Sequence, residues 1–155
     1  MKTNYVTGDA TQPQGNGLKV ITHICNDIGG WGRGFVLALS KRWKQPEKEY
    51  RQWYESGQNF QLGEVQFVQV EADVVIANII GQHKVSATNG VPPIRYEAVR
   101  KGLQKVSQYA LDHQASVHMP RMGAGLAGGQ WEEIEKIVEE ELTQKGIVVT
   151  VYDLA

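Results

Sequence analysis

The chain of 155 residues holds a single cysteine, Cys25. One thiol closes no internal disulfide and builds no Cys-x-x-Cys knuckle, which fits a reducing compartment. Long apolar runs are missing: no stretch reaches the roughly 18 hydrophobic residues that suggest a membrane span. No apolar segment follows Met1-Lys2-Thr3-Asn4, so no secretion signal is expected and a cytoplasmic location is. Excess charge is missing as well. A formal net charge of −1 argues against a protein held on nucleic acid mainly by phosphate neutralisation, a local basic patch aside, so no direct nucleic-acid binding is expected. There is no Gly-Lys-Ser/Thr after a glycine loop, no early dinucleotide fingerprint and no Gly-x-Ser-x-Gly elbow. His23, His83, His113 and His118 are too scattered to read as a metal set, and no cofactor is expected.

What is plentiful is glycine, 17 residues of it, against an average usage of about 7%. Strand-like and helix-like segments alternate around it. Strands are expected at 3–6, 18–25, 64–70, 74–80, 115–119 and 147–152, with 64–70 and 74–80 forming a hairpin and the very apolar 74–80 lying centrally. Helices are expected over 35–43, from Pro46 onward, over 94–112 and from Trp131 to Leu142. This order reads as one α/β domain spanning 1–155, with a mixed, largely parallel sheet covered on both faces. Ligands of such sheets sit at the carboxyl ends of the strands.

Both glycine-rich loops leave a strand at that end and enter a helix. The first runs Asn26-Asp27-Ile28-Gly29-Gly30-Trp31-Gly32-Arg33-Gly34, and the second runs Arg121-Met122-Gly123-Ala124-Gly125-Leu126-Ala127-Gly128-Gly129. Glycine lets an anion approach the main-chain amides, and a helix start adds free N–H groups. Two such loops on one sheet edge suit a diphosphate. Glu132 and Glu133 run the other way, since acids in a first helical turn answer the helix dipole. Asp9, after Gly8, is either a turn former or an acceptor for an exocyclic amine. Cys25 reads as a buried inert thiol, and His118 as a hydrogen-bonded core histidine.

Gly8-Asp9, Trp31-Gly32-Arg33-Gly34, the stretch Ser116 to Gly123 and the closing Val149-Thr150-Val151-Tyr152 together resemble macrodomains, in order and over nearly the whole chain. Two branches look most alike. One is the macrodomain of a poly-ADP-ribose-activated chromatin-remodelling helicase, which shares a pair like Gln82-His83. The other is a fungal ADP-ribose-1″-phosphate phosphatase, similar at His23-Ile24-Cys25-Asn26.

The resemblance implies a three-layer α/β/α sandwich and binding of ADP-ribose, its derivatives or ADP-ribosylated protein, with no membrane partner. It implies Gly8, Asp9 and Ala10 at the adenine, with Tyr152 against the same base. It implies Asn26, Gly30, Trp31, Gly32, Arg33 and Gly34 around the distal ribose and one phosphate. Gly123, Ala124, Gly125, Leu126, Ala127 and Gly128 would cradle the diphosphate, and Arg121 is a further ligand-binding candidate beside them. If the chain is a hydrolase, a water held among Asn26, Asp27 and His23 is the expected chemistry, with Asp27 or His23 as base. A branch that uses a lysine after the fourth strand and an aspartate in the second loop is not matched: Gly81-Gln82 and Ala127 stand there, and Lys84 is out of register. The alternative is a non-catalytic reader of ADP-ribose.

Overall fold

The computed structural model describes residues 2–154. The strands are β1 (Asn4–Thr7), β2 (Lys19–Asn26), β3 (Val65–Glu71), β4 (Val74–Gln82), β5 (Ser116–Met119) and β6 (Val149–Asp153). The helices are α1 (Phe35–Arg42), α2 (Gln45–Ser56), α3 (Tyr96–His113) and α4 (Trp131–Glu141), with one 3-10 turn over Thr143–Lys145. The six strands form one sheet in the order β1-β6-β5-β2-β4-β3. Every neighbouring pair is parallel except β3 with β4, which is the expected hairpin.

Side-chain alternation along the strands builds two cores. Val20, Val75, Ala77, Val117, Met119 and Val149 pack with Val99, Leu103, Val106, Ile134 and Val138 of α3 and α4. Ile21, Cys25, Val68, Val74 and Ile76 face the other way, onto Val36, Leu39 and Tyr50 of α1 and α2. Helices on both faces make three layers, and they explain why β2 and β4 are buried at almost every position rather than at alternate ones.

Strand β4 is buried along nearly its whole length yet lies second from an edge, not at the centre as its composition suggests. The antiparallel β3 flanks it and supplies the cover that a deeper position would have given. The last strand begins at Val149 rather than 147, because Gly146 turns with φ 84° and Ile147 N–H still bonds Leu142 O at 3.3 Å.

Parallel strands β1, β2, β4, β5 and β6 all end on one rim of the sheet. The segments after β1, β2, β4 and β5, including both glycine-rich loops, therefore rise from that rim.

Candidate ligand-binding site

A cavity of about 290 Å³ opens between the two glycine-rich loops. Gly30, Trp31, Gly32 and Arg33 line one side, Leu126 another, and Gln82, Val85 and Ser86 the end beyond β4. The loops touch: a Cβ placed on Gly34 would lie 3.5 Å from Leu126 Cδ1. Among the described residues, the N–H groups of Gly32, Arg33 and Gly34 donate to no other group, and neither do those of Gly123, Gly125, Leu126 and Ala127. Seven unspent donors on two facing loops are an anion site in waiting.

The glycines of these loops divide into two kinds. Gly123 has φ 78°, and a Cβ there would come within 2.9 Å of Ile94 Cδ1 and 3.0 Å of Ile24 Cδ1. The fold itself demands glycine at that point. Gly32 and Gly125 lack a positive φ, and a Cβ on either would meet nothing within 4 Å. Neither backbone nor packing requires glycine at those two positions, and both lie on loops that face the cavity.

The first loop is organised by Asn26. Its Oδ1 accepts from Ile28 N–H at 3.0 Å, Gly30 N–H at 2.9 Å and the Tyr50 hydroxyl at 2.9 Å, while Nδ2 donates to Gly30 O at 2.9 Å. The carbonyl end is fully engaged by the protein, and the amino end gives one of its two N–H groups to it. Asn26 thus braces the loop while also bordering the cavity. Tyr50, wholly buried on α2, is the partner that sequence reasoning missed, because nothing local marks a tyrosine 24 residues away as a loop brace.

Asp27 is also engaged. One carboxylate oxygen lies 2.7 Å from His83 Nδ1 and the other accepts from Lys84 N–H at 2.7 Å, so it joins the first loop to the segment after β4. His23 is buried at the α1–α2 face, with Nε2 2.5 Å from Asn78 Oδ1 and its ring edge-on to Trp31. Burial pulls its pKa down to about 4, so it is neutral at physiological pH. Neither Asp27 nor His23 lines the cavity. Of the expected water-holding trio only Asn26 borders the cavity: burial sets His23 aside, and loop bracing engages Asp27. Burial pushes the Cys25 thiol up, which keeps it unreactive.

Trp31 borders the cavity but is buried, its ring against Tyr50 and its Nε1–H donating to Ser40 Oγ at 2.8 Å. It floors the loop. Arg33 is exposed, has no ion-pair partner among the described residues, and is the one cation on the cavity wall. Arg121, by contrast, is committed. It makes a two-pronged pair with Asp153, at 2.7 and 3.0 Å, and lies over the rings of Tyr5 and Trp131. That pairing engages the guanidinium that was expected at the ligand. Ala127 is buried, and its carbonyl accepts from Ile94 N–H at 3.0 Å, anchoring the second loop. Ala124 N–H and Gly128 N–H bond back within that loop, to Arg121 O at 3.4 Å and Gly125 O at 3.0 Å.

At the β1–β6 end, Asp9 Oδ1 accepts from Thr11 N–H at 2.8 Å and Thr11 Oγ1–H at 2.7 Å. This is the turn-forming role, and it leaves Oδ2 without a partner among the described residues. Ala10 is buried beside it. Gly8 N–H donates to Asp153 O at 2.8 Å. Tyr152 is buried, with its hydroxyl on Gln14 N–H and His118, so its ring does not stand open to stack on a base. Among the described residues no three His, Cys, Asp or Glu side chains gather as a metal site.

No family model matches the chain. A macrodomain protein from Streptomyces coelicolor is 51% identical and superposes with a TM-score of 0.87, covering 98% of this chain and 99% of that one. Chromodomain-helicase-DNA-binding protein 1-like from Mus musculus is 33% identical over 96% of this chain, which spans only 17% of that protein's length. ADP-ribose 1″-phosphate phosphatase from Candida albicans is 28% identical, over 88% of this chain and 91% of its own length. A likeness of this extent to a solved macrodomain, on a three-layer fold with both glycine loops on one rim, makes the chain a member of the macrodomain family.

Proposed function

We propose that the cleft binds ADP-ribose, or a ligand that carries it, and that the protein hydrolyses an ADP-ribose derivative. The observation that carries the binding half is the pairing of two glycines that the fold does not need, Gly32 and Gly125, with unspent amides on both facing loops. Such a surface offers main-chain donors to a diphosphate at close range. Asp9, with one free carboxylate oxygen, stands at the adenine end, and Arg33 stands at the distal end. The hydrolytic half draws on the names of relatives such as the Candida albicans phosphatase, which is matched nearly end to end.

A second reading, a non-catalytic reader of ADP-ribose, rests on one observation: the cavity wall holds no carboxylate and no imidazole. Purified protein incubated with ADP-ribose-1″-phosphate and with ADP-ribosylated protein, beside a calorimetric titration with ADP-ribose, separates the two. Released phosphate or released ADP-ribose supports the enzyme. Saturable binding without product supports the reader. No heat with ADP-ribose refutes both.

A further inference from the structure

The segment from Asp9 to Asn16 carries the adenine end of the proposed site, yet it is tied down lightly. Within it, Gln12 N–H bonds Asp9 O and Thr11 bonds the Asp9 carboxylate, both local contacts. Among the described residues, one hydrogen bond joins this segment to another element: Gln14 N–H donates to the Tyr152 hydroxyl on β6 at 2.8 Å.

That hydroxyl belongs to a relay that runs on to His118 and Ser116. Having accepted from Gln14, Tyr152 can donate its own proton to His118 Nδ1, 2.8 Å away on β5. His118 Nδ1 must then be bare, so Nε2 carries the ring proton and donates to Ser116 Oγ at 2.8 Å. Burial keeps His118 in that neutral form. The relay lies on the sheet face opposite α3 and α4, since Val117, Met119 and Val151 take the other side. The sheet thereby reaches out through one phenol to a loop whose Ala10 and Thr11 are buried but which, among the described residues, no other hydrogen bond ties to another element.

Resting on the ADP-ribose reading above, we propose that Tyr152 is a positioning residue for the nucleobase end of the ligand: its hydroxyl, oriented by His118, pins the Gln14 amide and so seats Asp9 and Ala10. Its role is to hold the loop, not to touch the base.

Three variants test this. Tyr152→Phe keeps the ring and removes the strut, Gln14→Pro removes the same bond from the exposed side, and Val106→Ala destabilises the core far from the loop. Each is titrated with ADP-ribose, and amide exchange is followed over residues 9–17 of Tyr152→Phe. The loss of one net hydrogen bond predicts about five- to ten-fold weaker binding in the first two, wild-type affinity in the third, and faster exchange in the loop of Tyr152→Phe. Unchanged affinity in both strut variants, or an equal loss in Val106→Ala, overturns the proposal. If the wild-type protein does not bind ADP-ribose, the ligand reading falls. In that case unchanged loop exchange in Tyr152→Phe removes the strut as well, while faster exchange keeps the strut and removes only its link to the ligand.

Discussion

Replacing Gly125 by valine is the sharpest probe of the cleft. A Cβ at Gly125 meets nothing within 4 Å, and its φ is not positive. The free protein should tolerate the side chain, with a stability change inside about 0.5 kcal/mol. A ligand phosphate resting on the Gly125 and Leu126 amides would not tolerate it. A hydrogen bond to a charged group contributes about 1.5–3 kcal/mol, so displacing one or two should weaken binding by on the order of 100-fold or more. Gly123→Ala is the contrast. It forces a side chain into the left-handed region, at about 1–2 kcal/mol, and presses on Ile94 and Ile24. That variant should lose stability by thermal melting, whereas Gly125→Val should lose affinity by calorimetry and keep its melting point. A folded Gly125→Val protein that binds ADP-ribose as tightly as wild type would refute the cradle.

Other expectations are as direct. Asp9→Asn keeps an oxygen for Thr11 but loses the carboxylate, so ADP-ribose should bind about ten-fold or more weakly with little change in melting temperature; equal affinity would take Asp9 out of the site. Tyr50→Phe removes the hydroxyl that holds Asn26 and should destabilise the fold by about 1 kcal/mol while loosening residues 26–30 to hydrogen exchange. His23 and His118 both titrate near 4 in the folded protein, against about 6.5 when unfolded. The unfolded chain takes up their protons first, so stability falls as pH drops from about 6.5 to 4, by about 1.4 kcal/mol per unit for each histidine. The double variant His23→Gln, His118→Asn keeps a polar atom toward Asn78 and toward Tyr152, gives up the bond to Ser116, and should flatten that slope in denaturant titrations.

The rim was legible from sequence because two kinds of local signal coincide there. Strand segments such as Val74 to Ile80 announce themselves by composition, and glycine clusters announce a close backbone approach. The functions of polar side chains were far less legible. Asn26, Asp27, Arg121 and Tyr152 all sit on or beside the rim, yet each spends its polar atoms on protein partners. Those partners are 24 to 138 residues away for Tyr50, His83, Asp153 and Gln14, and no periodicity or spacing predicts such pairs. Main-chain donors are fixed by topology, whereas side-chain allegiance is settled only when distant segments pack. Hence the loops are legible in the sequence and the partners of their polar side chains are not.

The place of β1 in the sheet has a consequence for biosynthesis. Its one neighbour is β6, in the register Asn4 to Thr150. A chain emerging from the ribosome therefore exposes β1 before β6, its mate, has been made. Until then the peptide groups of Asn4–Thr7 have no strand to pair with, and the pairing must draw together two segments far apart in sequence, Asn4–Thr7 and Val149–Asp153.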